Sequence, residues 1–314
     1  MKKSIAVLLV FILALGMFTA CGGDDGSADG EVIKIGLAQC NLNDTFQTYL
    51  VDAVKAKASE LGYEVDVQDA QEDVVKQQDQ VNTMIEQGYD AIIVVPVDTA
   101  AMTPITDAVT SAGIPLVYAN RNPFGTDNPP DGVYYVGSQE IVGGQLQGEY
   151  LIEKMGEEGG VAILMGILSN EGAVKRTEGN ESVLSKYPGI KILAKETGEW
   201  QYDKGMTIAE NWITAYGDNL NAILSNNDGM AIGALQALEA AGRDDVIVIG
   251  LDAIPDAVKL VAEGSLAATV LQDADGQGVG AVEIIQTVMD GGTPEPIIWI
   301  DFVLVTPDNV ADFQ

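Results

Sequence analysis

Planar polar side chains recur in this sequence where several short apolar runs end. Asn43, Asp44 and Phe46 follow the run at 32–39, and Asn120 and Arg121 follow the run at 115–119. Asn226, Asn227 and Asp228 follow 222–225, Asp252 follows 246–251, and Gln272 follows 267–271. Arg176, near the start of a helical stretch, and Trp200, in a loop after a strand, complete the set. Carboxylates, amides and guanidinium forks can each engage two neighbouring hydroxyls, because a hydroxyl both donates and accepts. Phe46 and Trp200 offer flat apolar surfaces for the two C–H faces of a ring. Asp44 and Asp252 balance Arg121 and Arg176 in charge, which favours a neutral polyhydroxylated ligand. The same two aspartates are also a conceivable glycosidase pair. No other nucleophile–base pair is visible, so binding without catalysis is the expectation.

Composition removes several alternatives. The 314 residues contain no histidine, which excludes Ser-His-Asp and Cys-His catalysis and His-ligated zinc. Two cysteines build neither a disulfide scaffold nor a four-thiolate metal site. A net charge of −31 repels nucleic acid and an anionic membrane surface alike. No cofactor and no metal are implied.

The elements that must position the polar set alternate. Apolar runs at 32–39, 64–67, 91–95, 115–119 and 133–136 read as strands, separated by helical spacing such as Phe46, Leu50, Val54, Ala58 and Leu61. The rhythm restarts with strands at 161–165, 191–194, 222–225, 246–251 and 267–271. Helical patterns lie around 171–186, 203–215, 228–241, 255–263 and 276–289. Near-continuous apolar strands alternating with helices imply parallel sheets covered on both faces. Ten such strands exceed one simple unit, so the expected fold is α/β with two doubly wound, Rossmann-like lobes. The 139–160 region, a helix followed by a Gly-rich turn, marks the first passage between them. In such sheets ligands bind beyond the carboxyl ends of the strands, where the polar residues cluster.

Each residue taken singly also has a plainer role. Asp228 and Asp252 stand near helix starts and suit capping, and Asn226 and Asn227 suit a turn. Phe46 at helical spacing suits a core, and Arg176 in the charged stretch 175–181 suits a solvated face.

The N-terminus reads as an export address. Lys2 and Lys3 precede an apolar run at 5–18, shorter than the ~20 residues a membrane span needs. Thr19-Ala20-Cys21 resembles a bacterial lipoprotein cleavage site, which places a lipid anchor on Cys21 after removal of 1–20. Residues 21–30, rich in Gly, Asp and Ser, form a flexible tether. The expected location is therefore extracytoplasmic, with membrane attachment by the lipid alone. Cys40, at the end of the first strand, reads as a small buried residue.

Longer segments carry a family resemblance. Asn43-Asp44-Thr45-Phe46, Asn120-Arg121, Ser225-Asn226-Asn227-Asp228-Gly229-Met230, Gly250-Leu251-Asp252-Ala253 and Thr269-Val270-Leu271-Gln272-Asp273 resemble the periplasmic sugar-binding proteins of ABC transporters, the ribose and galactose/glucose group. Lys175-Arg176-Thr177 and Glu199-Trp200 look closer to the galactose/glucose member, and Arg121 to the ribose member. The resemblance implies the type I periplasmic binding protein fold with a three-segment hinge near 137–139, 272–274 and 301–303. It implies lobes of 31–138 plus 273–301 and 139–272 plus 302–314. It implies hydroxyl contacts from Asp44, Asn120, Arg121, Arg176, Asn227, Asp252 and Gln272, and ring stacking by Phe46 and Trp200. Asn170 and Gly172 depart from the histidine and aspartate of the galactose/glucose member, and the calcium loop of that member has no counterpart at 153–161. The implied partners are a monosaccharide and an ABC permease, with the protein a monomer. A sugar-sensing receptor, or a cyclitol or nucleoside ligand, is the alternative.

Overall fold

The computed structural model describes residues 32–125 and 128–314. The signal segment, Cys21 and the tether lie outside the described residues.

Two parallel sheets organise the chain. The first half runs β1 (Lys34–Gln39), α1 (Thr45–Glu60), β2 (Glu64–Asp69), α2 (Val74–Glu86), β3 (Ala91–Val94), α3 (Thr103–Ser111), β4 (Leu116–Ala119) and β5 (Val133–Gly137). The second runs α4 (Glu140–Met155), β6 (Glu158–Met165), α5 (Glu171–Leu184), β7 (Gly189–Thr197), α6 (Tyr202–Tyr216), β8 (Ala222–Ser225), α7 (Asp228–Ala240), β9 (Ile247–Ile249), α8 (Pro255–Glu263) and β10 (Thr269–Leu271). It ends with α9 (Ala274–Met289), β11 (Ile297–Trp299) and β12 (Val303–Val305). The first sheet has the order β11-β5-β4-β3-β1-β2, and the second β7-β6-β8-β9. Every neighbouring pair within these two sheets is parallel. Parallel bridges Ile249↔Ala268 and Asp252↔Leu271 carry the second sheet on to β10.

The apolar runs behave as buried parallel strands must. Ile93 and Val95 enter one core while Ile92 and Val94 enter the core on the opposite face. Ala162 and Leu164 divide from Val161 and Ile163 in the same way in the second sheet. Helix starts are set by short polar side chains. Asp44 accepts the N–H of Phe46, Asp73 those of Val75 and Lys76, and Asn227 that of Met230.

Twelve strands are present among the described residues, two more than the periodicity predicts. β11 and β12 are three residues each, too short for any pattern to register. They matter because β11 joins β5 in the first sheet whereas β12 pairs antiparallel with β10. The chain thus passes between the sheets after β5, after β10 and after β11. The expected passage at 139–160 is corrected: α4 is not a connector. Gln147 on α4 donates to the carbonyls of Ser225 and Gly250, at 2.7 and 2.8 Å, fixing the helix to the second sheet.

Small residues let α4 approach α5 closely. A Cβ on Gly144 would collide with the backbone carbonyl of Arg176, and one on Gly179 with that of Ile141. Gly144→Ala is therefore expected to destabilise by about 3 kcal/mol through overpacking and to displace Arg176. Chemical denaturation and ligand titration of this variant check both effects; native stability with native affinity would refute the role given to the seam.

Candidate functional site

In doubly wound sheets the crevice opens where strand order reverses. Here that is between β1 and β3, and between β6 and β8. The loop after β1 supplies Asp44 and the first turn of α1 Phe46, the end of β4 Asn120 and Arg121, and the end of β8 Asn227. Asp252 follows β9, Gln272 follows β10, Trp200 follows β7, and Arg176 projects from the second turn of α5. All nine predicted residues line one cavity, together with Gln47, Glu140, Asn170 and Gly172. An outer chamber of about 410 Å3 shares Asp44, Phe46, Trp200, Asn227 and Asp252 and adds Asn41, Glu72 and Tyr202.

Three of the nine depart from ordinary backbone. Asn120, Trp200 and Asp252 have φ of +66°, +67° and +129°. Such conformations strain a residue that has a Cβ, and they persist only where surrounding contacts enforce them. Tyr135 supplies one such contact, donating its hydroxyl to the Asn120 carbonyl at 3.0 Å. The Asn120 side chain is held by Gln47 and Gln277 at 3.0 and 3.1 Å. The Trp200 indole N–H donates to Asn170 Oδ1 at 2.9 Å, and the amide of Asn227 donates to the Trp200 carbonyl at 3.2 Å. Gly166 leaves room for the indole, since a Cβ there would strike the ring. Phe46 both lines the cavity and packs into the first core.

Arg176 is no solvated residue. It is 5% exposed, and each of its three nitrogens donates a hydrogen bond, which leaves one N–H on each Nη. Its Nε donates to Glu140 at 2.5 Å, its Nη1 to the Asn226 carbonyl at 2.7 Å, and its Nη2 to Gln272 Oε1 at 2.9 Å. Gln272 in turn donates to the other oxygen of Glu140 at 3.0 Å. The guanidinium carbon lies 5.6 Å from the Trp200 ring centroid, within cation–π range.

Glu140 and Gln47 are the important residues absent from the sequence reading. Glu140 opens α4, and an acid in a first helical turn is indistinguishable in sequence from one that complements the helix dipole. Its presence corrects the charge arithmetic. Arg121 lies 3.6 Å from Glu72, and Arg176 pairs with Glu140. The arginines therefore have partners other than Asp44 and Asp252, so their balance does not argue for a neutral ligand. Asp228 and Asn226, also at the end of β8, are structural: Asp228 accepts the Ile254 N–H and the Thr269 hydroxyl, and Asn226 Oδ1 accepts the Gly166 N–H.

Burial governs the acids. It pushes Asp252 well above the usual carboxylate range, with Arg176 opposing. It raises Asp44, with Arg121 opposing. Glu171 is pushed up to about 8 by burial and by the charge of Glu140 beside it. Cys40 is buried and free, and burial pushes its thiol up to about 12. Across the cleft, Asn170 donates to the Val97 carbonyl at 2.8 Å and Thr99 approaches the Ser169 carbonyl at 3.4 Å.

Two parallel α/β lobes around a cavity furnished with planar polar groups and two aromatics define a solute-binding protein. The periplasmic binding protein domain model matches residues 35–293. A putative rhizopine-binding protein of Rhizobium meliloti is 41% identical over 285 residues, covering 89% of this chain and 92% of that protein. The ribose import binding protein of Salmonella typhimurium is 32% identical, covering 86% and 90%. An ABC transporter solute-binding protein of Bacillus halodurans with bound myo-inositol superposes with a TM-score of 0.84 at 39% identity, covering 91% and 99%. The chain belongs to the periplasmic binding protein domain family and has its type I, two-lobed fold. This is a family of solute-binding proteins rather than enzymes.

Proposed function

We propose that the protein captures a polyhydroxylated solute of monosaccharide size, a sugar or cyclitol, and delivers it to an ABC permease. The observation that carries this reading is the convergence of Asp44, Phe46, Asn120, Arg121, Arg176, Trp200, Asn227, Asp252 and Gln272 on one cavity. Relatives that bind ribose and myo-inositol support the ligand class. In this reading the lobes, 31–138 plus 273–301 and 139–272 plus 302–314, close about three hinge segments and exclude water from the bound solute. Asp44, Asn227 and Asp252 grip hydroxyls, Arg176 engages two at once, and Phe46 and Trp200 cover the ring. A lipid on Cys21 holds the monomeric receptor outside the membrane, close to the permease.

A thermal-shift panel of pentoses, hexoses and inositols on the purified full chain tests the reading. A ligand at 100 times its Kd stabilises by about 2.7 kcal/mol, a rise of roughly 5–10 °C. Silence across the whole panel would sink the proposal. With a responding ligand in hand, Trp200→Ala is expected to weaken binding by at least about 2 kcal/mol, roughly 30-fold. Unchanged affinity by calorimetry would remove the indole from the site.

A further inference from the structure

Asn170 stands immediately before α5, where an asparagine ordinarily accepts a backbone N–H of the first helical turn. Its side chain makes no such capping bond. Both ends of the amide are used elsewhere. Oδ1 accepts the Trp200 indole N–H at 2.9 Å, and Nδ2 donates to the Val97 carbonyl at 2.8 Å. Asn170 and Trp200 follow β6 and β7 of the second sheet, whereas Val97 follows β3 of the first. The helix thus forgoes a local cap for a bond that crosses the cleft. Asn170 is 1% exposed, so little water competes for that bond. The far end is held firmly too. Gln77 accepts the Val97 N–H at 2.9 Å and donates to the Val95 carbonyl at 2.8 Å, while Arg121 donates to the Pro96 carbonyl at 2.8 Å. Beside it, the Thr99 hydroxyl approaches the Ser169 carbonyl at 3.4 Å. The crossing bond therefore joins two supported ends, and through Trp200 and Arg121 each end is tied to a wall of the solute cavity.

Resting on the solute-receptor reading above, we infer that Asn170 is a positioning residue that latches one lobe to the other. A solute ring seated against Trp200 fixes the indole, the indole N–H orients the Asn170 amide, and the amide fastens onto the Val97 carbonyl. The bond forms only once the lobes have met, so it governs release more than capture.

Two variants of the full chain, each checked for native circular dichroism, test this. Asn170→Asp keeps an acceptor for the indole but sets an oxygen against the Val97 carbonyl. Asn170→Ser keeps a helix-capping residue, adds no charge and lacks the amide. Stopped-flow tryptophan fluorescence is recorded with those pentoses, hexoses and inositols of the thermal-shift panel that bind the parent. Both variants are expected to release solute at least tenfold faster, with association within about threefold of the parent. Small-angle scattering at saturating solute should show the parent compact and the variants partly open. Asn170 also lines the cavity, and the scattering separates the two roles. Faster release with full compaction would make Asn170 a direct solute contact and overturn the latch. Unchanged release rates would overturn it as well. Either result leaves the receptor reading standing, whereas a parent that binds no member of the panel overturns both.

Discussion

Replacing Arg176 with alanine is expected to abolish solute binding and to lower stability by about 3–5 kcal/mol. The loss is large because the partners do not leave with the guanidinium. Glu140 is 3% exposed and would keep its charge with only Gln272 as a donor, and the Asn226 carbonyl would lose its donor. A drop in melting temperature of about 10 °C corresponds to such a loss in a domain of this size. Arg176→Lys should rescue little, since one ammonium cannot span the three acceptors that Nε, Nη1 and Nη2 reach. The double variant Arg176→Met with Glu140→Gln should be less destabilised than Arg176→Met alone, because the orphaned charge is gone. Denaturant melts of the parent, Arg176→Met, Glu140→Gln and the double variant measure the coupling. Additive losses, or an Arg176→Ala protein as stable as the parent, would show that the pair does not organise the site.

The second large effect is on stability at alkaline pH. Glu171 ordinarily titrates near 4.5 but is pushed up to about 8 in the fold, by burial and then by Glu140, with Arg176 and Lys175 opposing and Glu178 adding to the rise. A carboxyl raised in the folded state contributes stability that is fully present below its unfolded value. That contribution is lost as pH climbs through the folded value. The protein should therefore melt progressively lower between pH 5 and pH 9. Glu171→Gln keeps the shape and removes the titration. It should match the parent near pH 5 and exceed it at pH 9 by about 2 kcal/mol, roughly 4–8 °C. Asp228, pushed up to about 7 by burial, acts in the same direction, so the variant flattens the slope without erasing it. Parallel profiles for parent and variant would discard the assignment.

The legible parts of this protein are those in which local pattern and tertiary environment agree. Strands such as Ala91–Val94 and Leu116–Ala119 are buried at every position, so their apolar runs announce them. The helices of the second half fall close to their expected spans because a 3.6-residue stripe survives in each. β11 and β12 left no trace, because three residues carry no period. The polar residues at strand ends were legible for a topological reason: parallel α/β sheets put all such loops at one edge. Arg176 was less legible, since a charged helical stretch looks the same whether its arginine faces water or a buried acid.

The residue types alone determined that strands would be parallel and doubly covered, and that amides, acids and aromatics would gather at their carboxyl ends. Periodicity and strand-to-helix order are local properties, and they survive in one dimension. Which acid faces which arginine was decided only in three dimensions. Glu140 lies 36 residues from Arg176 and Gln272 lies 96 residues from it, yet all three meet within hydrogen-bond distance. Coulombic and hydrogen-bond energies depend on separations of a few ångströms. The chain passages that bring those groups together are set by the packing of two lobes.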